Sequence, residues 1–158
     1  CSNPQKRIVR VDRMLAPWVR SVVAAACGIP AQGVMVGRDA TLTIRPMDPE
    51  TARSTLALLI QTWRDGMSAP VPLPFKTALA HVQDGSPAEV YEGGMRVQGE
   101  FQELSLARMY PDFDAVIADG RFEALAQAVY APLLQWVKDH VSASEHPDEE
   151  TAEVAGAP

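Results

Sequence analysis

Lysine is scarce in this 158-residue sequence: only Lys6, Lys76 and Lys138 occur, and arginine supplies the rest of the 14 basic residues. The scarcity bears on metal-dependent nuclease chemistry. Such sites commonly set a carboxylate and a lysine two apart on one strand, where both reach the same phosphate. Two residues before the lysines stand Pro4, Pro74 and Trp136, so the Asp/Glu-x-Lys pattern is missing. Two cysteines, Cys1 and Cys27, make no disulfide framework, and Cys27, inside an apolar helical stretch, is expected to be a small buried hydrophobe. His81, His140 and His146 have no partner at metal-ligand spacing. There is no Gly-x-x-x-x-Gly-Lys-Ser/Thr loop and no Gly-x-Ser-x-Gly elbow, and Gly93-Gly94 runs into Met95-Arg96 without the spacing of a dinucleotide loop. No cofactor and no metal are expected. No apolar run approaches the ~20 residues of a membrane span. The N-terminus is basic but has no apolar signal core, so a cytoplasmic, reducing compartment is expected.

What is present is a globular composition, 47% hydrophobic, with an uneven charge. The net charge is −6, and residues 145–158 hold Glu145, Asp148, Glu149, Glu150 and Glu153 with no Lys or Arg. Residues 1–64 carry nine basic against four acidic residues, a net of +5. The charge pattern therefore describes a near-neutral body with a basic beginning and an acidic tail. A single domain over residues 1–142 and a solvated, disordered tail over 143–158 are expected.

Along the chain, Lys6 to Arg13 alternates as a short strand would, with a basic face. Leu15, Trp18, Val19, Val22, Val23 and Ala26 recur at helical spacing, with Pro17 in the first turn and Gly28 and Pro30 ending the helix. Val34–Val36 and Thr41–Ile44 flank Gly37-Arg38-Asp39-Ala40 as a hairpin. Asp48 and Pro49 then open a helix whose stripe Ala52, Leu56, Leu59, Ile60 and Trp63 is expected in the core, with Gly66 as its cap. Pro70, Pro72 and Pro74 make an extended linker ahead of a short helix through Val82. Ser86-Pro87-Ala88-Glu89 reads as a capping box, and Met95–Leu104 as a strand or an irregular crossing. Asp112 caps a short helix, and Pro132 is expected to kink or divide the last long one.

Two groups are candidate sites. Arg7, Arg10 and Arg13 could each neutralise a phosphate along a DNA backbone, or face solvent as the outer side of a strand. Val71, Leu73 and Phe75, on an arm unusually apolar for a linker, could dock on another subunit or pack over their own domain.

Four stretches resemble a known family in order and spacing. They are Leu15-Ala-Pro-Trp18 through Cys27-Gly28; Trp63-Arg-Asp-Gly66 through Pro70-Val-Pro-Leu-Pro74-Phe-Lys76-Thr-Ala-Leu-Ala80; Val90-Tyr91-Glu92-Gly-Gly-Met-Arg96-Val-Gln-Gly99-Glu100; and Ala107-Arg108-Met-Tyr110-Pro111-Asp112-Phe113, continued by Tyr130-Ala-Pro132-Leu-Leu. Together they are similar to the C-terminal domain of RecC, the gamma subunit of bacterial exodeoxyribonuclease V, the RecBCD helicase–nuclease. The resemblance implies an α/β (α+β) fold: a degenerate PD-(D/E)xK, restriction endonuclease-like nuclease with a small mixed sheet flanked by helices. Ile8–Arg13 would correspond to the metal-binding strand and Leu15–Cys27 to the helix after it, with Arg10, Val11, Asp12 and Arg13 where an active enzyme needs a carboxylate and a lysine. Asp12 alone would not hold a catalytic cation.

By the same resemblance the chain would be a non-catalytic scaffold that docks the alpha (RecD-like) and beta (RecB-like) subunits and guides DNA strands, within a complex that takes part in Chi recognition. That complex is an ATP-dependent hydrolase of DNA repair and recombination. Two other readings stay open at this point, a stand-alone metal-dependent nuclease with an atypical site and an unrelated protein-interaction adaptor.

Overall fold

The computed structural model describes residues 9–95 and 97–145. Their fold is mixed α+β, with seven α-helices and a three-stranded antiparallel sheet. The expected mixed sheet is corrected by the register: every pairing in it is antiparallel. No helix among the described residues is long and apolar enough to cross a membrane.

The beginning differs from the expected strand. Val11–Arg13 is a 3-10 turn, closed by Arg13 N–H to the Arg10 carbonyl at 2.9 Å, and it leads straight into helix α1, Leu15–Ala26. Lys6, Arg7 and Ile8 lie outside the described residues. Met14, just ahead of α1, and Trp18, Val22 and Ala25 within it form the stripe that enters the core, while Val19 and Val23 stay at the surface. The helix ends in a Schellman turn: Ile29 N–H reaches the Ala24 carbonyl, Gly28 N–H the Ala25 carbonyl, and Gly28 takes a left-handed φ of 76°. That turn carries the Cys27 side chain outward, so Cys27 is exposed rather than buried.

Strands β1, Gly33–Val36, and β2, Ala40–Ile44, form the expected hairpin. Helix α2, Pro49–Ser68, opens as expected, with the Asp48 carboxylate accepting from Thr51 N–H at 2.8 Å and Pro49 in the first turn. It runs past Gly66. Pro70 stops it instead, because a residue before proline is forced out of the helical region, and Ala69 is fully extended (φ −154°, ψ 153°).

Helices α3 (Phe75–Val82) and α4 (Pro87–Glu92) follow. A two-residue ribbon, β3 (Gly93–Gly94) with β4 (Val97–Gln98), then leads to a 3-10 turn at Glu100–Gln102, which settles the segment expected to be strand or crossing. Helices α5 (Leu104–Met109), α6 (Phe113–Ile117) and α7 (Phe122–His140) complete the helical part. Asp112 caps α6 as expected, accepting from Ala115 N–H at 2.8 Å. Pro132 does not divide α7. Its missing N–H leaves the carbonyl four residues earlier, on exposed Ala128, to water, while buried Val129, Tyr130, Leu133 and Trp136 hold the helix to the core on both sides.

The chain then forms a strand not expected from its composition. β5, Val141–Glu145, pairs with β2 from Val141↔Ile44 to Glu145↔Ala40, giving the order β1-β2-β5. Residues 143–145, expected in the tail, therefore belong to the sheet; residues 146–158 lie outside the described part. One face of the sheet (Met35, Ala40, Leu42, Ile44, Val141) packs on the core formed with α1 and α7.

Candidate subunit and DNA interfaces

Arg10 and Arg13 converge on one carboxylate. Arg10 donates to Asp12 through Nη2 at 2.7 Å and Nε at 3.2 Å, and Arg13 Nε lies 3.8 Å from the same group. All three side chains reach solvent, so the cluster presents a net single positive charge. It offers a phosphate less than the three separate arginines suggested by the sequence, and Arg7 lies outside the described residues. With its carboxylate held between two guanidiniums, Asp12 is also poorly placed to bind a cation. No group of three or more His, Cys, Asp or Glu side chains that could hold a metal forms among the described residues.

The proline arm folds back over its own domain. Val71 lies over the bare Cα of Gly66, the Pro70 carbonyl accepts from Arg121, and the Phe75 ring meets the Tyr130 ring at 5.5 Å. Val71, Leu73 and Phe75 are half-buried, each keeping part of its surface outward.

The start of α3 is fastened by a residue that no local signal marks. One Glu100 oxygen accepts from Lys76 N–H at 2.9 Å, and the other from Thr77 N–H and Thr77 Oγ, both at 2.8 Å. Thr77 is fully buried, so a carboxylate answers both its donors where water does not reach. Burial, and behind it the negative charge of Glu100, pushes the Tyr130 hydroxyl pKa up to about 12. Burial is likewise the main cause that raises Tyr91, whose hydroxyl donates to the Tyr110 carbonyl. The ribbon brings Glu100 to its place. A Cβ on Gly99 would stand 2.5 Å from the Glu92 carbonyl group, and one on Gly93 (φ 74°) would stand 2.4 Å from Gly99 N, so both approaches require bare backbone.

The largest departure from expectation lies on α2. Of the stripe expected in the core, only Ala52 is buried. Leu56 and Leu59 pack partly against the core, but Ile60 is 41%, Trp63 63% and Met67 71% exposed. These three sit at helical spacing on one side of α2 and run into the proline arm, making an apolar ridge that no described residue covers. The periodicity was visible in the sequence; what would cover it was not.

The described residues thus present a helix with an uncovered apolar ridge and a lightly charged basic turn. The four quoted stretches form α1, the arm with α3, the ribbon that delivers Glu100, and the junction at α6. No curated protein matches the chain. The model of the RecC C-terminal domain matches residues 5–86, more than half of the sequence, which implies a place in RecBCD. This chain belongs to the RecC C-terminal domain family.

Proposed function

We propose that the chain is the non-catalytic C-terminal domain of an exodeoxyribonuclease V gamma subunit, a scaffold that docks neighbouring subunits and borders the path of separated DNA strands. In this reading it serves ATP-dependent unwinding and degradation of DNA in double-strand break repair without performing the chemistry. The observation that carries it is the Ile60–Trp63–Met67 ridge. An exposed tryptophan flanked by two apolar side chains costs solubility in a lone domain and is the usual anchor of a protein interface. Val71, beside Gly66 of α2, and the half-buried Leu73 and Phe75 that follow it are further candidates for contact, and the RecD-like alpha subunit is the proposed occupant, with the RecB-like beta subunit beside it. Arg7, Arg10 and Arg13 would contribute a weak, salt-sensitive attraction to DNA. A nuclease-like ancestry belongs to the same proposal, supported by a helix that runs directly into a hairpin, α1 into β1–β2.

Co-expression with the alpha and beta subunits tests the reading. The chain should co-purify with them, and Trp63→Lys should lower recovery on the order of tenfold or more, as interface tryptophans do. Recovery unchanged by Trp63→Lys would refute the ridge as the docking face. Cleavage of linear DNA by the chain with Mg²⁺ or Mn²⁺, abolished by Asp12→Ala, would overturn the scaffold reading itself.

A further inference from the structure

Strand β1 is an edge of the sheet, and a groove runs beside it. Pro17, Arg20 and Ser21 of α1 form one wall, and Gln32, Gly33 and Val34 form the other. The backbone polarity of this edge follows from the hairpin. Gly37 N–H bonds the Ala40 carbonyl at 2.9 Å, and antiparallel pairs alternate, so Met35 and Gly33 also bond inward to β2. Val34 and Val36 therefore turn their N–H and C=O groups away from the sheet. No strand among the described residues pairs with them.

Edges left open in this way are ordinarily blunted by charge, proline or a bulge. The sequence Gly33-Val-Met-Val36 has none of these, and Val34 and Val36 are 61% and 76% exposed. The sheet face they share continues through Thr41, Thr43, Ser142 and Ser144 without a charged side chain. Arg20 is the charged residue of the groove, exposed and without a hydrogen bond or ion pair among the described residues.

We propose that β1 is a strand-addition site that takes an extended peptide segment of a partner protein, with main-chain hydrogen bonds to Val34 and Val36 and a carboxylate side chain on Arg20. Backbone pairing would supply the affinity and the acid its orientation. A bare strand suits the groove better than a second copy of the chain, whose own α1 would bring another Arg20 into the same space. The site is separate from the α2 ridge, so it can fail while subunit docking succeeds, and the reverse.

The test uses the 158-residue chain and two fluorescein-labelled peptides, Thr-Val-Glu-Val-Thr-Val and the same peptide with Lys in place of Glu. The acidic peptide should bind about threefold more tightly, the scale of one exposed ion pair. It should also slow amide hydrogen exchange at Val34 and Val36. Val34→Pro removes an outward N–H that the hairpin does not use, and should weaken binding on the order of tenfold. Arg20→Glu, on the exposed side of α1, should leave the fold intact and reverse the peptide preference, which keeps the proposal testable if the proline variant fails to fold. No binding of either peptide, equal binding of both, or a preference unmoved by Arg20→Glu would each overturn the proposal. So would a chain that dimerises through β1 and becomes monomeric on Val34→Pro.

Discussion

Replacing Glu100 with alanine isolates the contact that joins the ribbon to α3. The Lys76 amide sits at the surface and recovers a hydrogen bond from water, so its loss is small. Thr77 is different: its N–H and its hydroxyl both lie out of reach of solvent and both depend on the same carboxylate oxygen. Two charge-assisted bonds to buried donors, with the loss of a negative charge at a helix start, amount to about 3 kcal/mol. For a chain of this length that lowers Tm by roughly 6–12 °C. Urea denaturation should show an earlier midpoint with an unchanged slope, since the surface exposed on unfolding stays the same. Glu100→Gln keeps an acceptor without the charge, and should lose about 1–2 kcal/mol. In a double-mutant cycle with Thr77→Val, the two residues should couple by at least about 0.5 kcal/mol. A Glu100→Ala chain within about 0.5 kcal/mol of the parent would refute the argument, because that is the scatter of surface substitutions with no special role.

Two further predictions concern backbone and pH. Gly99→Ala should destabilise by more than about 2 kcal/mol, because its Cβ would meet a rigid backbone carbonyl, whereas Gly94→Ala, with open space around the added atom, should change urea stability by less than about 0.5 kcal/mol; equal effects would refute the close-approach reading. Asp48 is held below the ordinary aspartate range chiefly by the Thr51 backbone N–H, then by the Thr51 hydroxyl. A lowered native pKa means that the unfolded chain takes up the proton first. The support from Asp48 is therefore complete above about pH 3.9 and is lost as the pH falls through the lower native value. The stability difference between the parent and Asp48→Ala should accordingly shrink as urea titrations move from pH 6 to about 2.5, and a constant difference would contradict the assignment.

How far the fold could be read ahead depended on how local each signal was. Asp48-Pro49, Asp112 and the β1–β2 hairpin were legible because the cap or turn lies within a few residues of what it organises. β5 was not, since Val-Ser-Ala-Ser-Glu has little strand propensity and becomes a strand only by pairing with β2, about 100 residues earlier. The alternation of Lys6–Arg13 pointed to a strand, but in its described part the Arg10–Asp12 contact and the entry into α1 favour a turn. On α2, periodicity revealed an apolar stripe without saying whose core it serves; Leu56 and Leu59 turn to their own domain, while Ile60, Trp63 and Met67 do not. Nor could spacing reveal that Glu100 would reach Thr77 across 23 residues, or that Arg20 and β1 would line one groove.

The late arrival of β5 shapes how the chain acquires its structure during synthesis. When residue 86 has left the ribosome, the region of the family match contains α1, α2, α3, a lone hairpin and a proline arm, but neither the Glu100 clamp nor α7. At that stage β2 is a second open edge beside β1, and Trp18 and Val22 lack part of the wall they will be buried against. Pairing waits for Val141–Glu145, whose strand covers the open side of β2 and becomes, with β1, one of the two outer strands among the described residues. The nascent domain therefore spends most of its emergence with surface that needs shielding, and a truncation before residue 141 would leave the β2 edge unpaired.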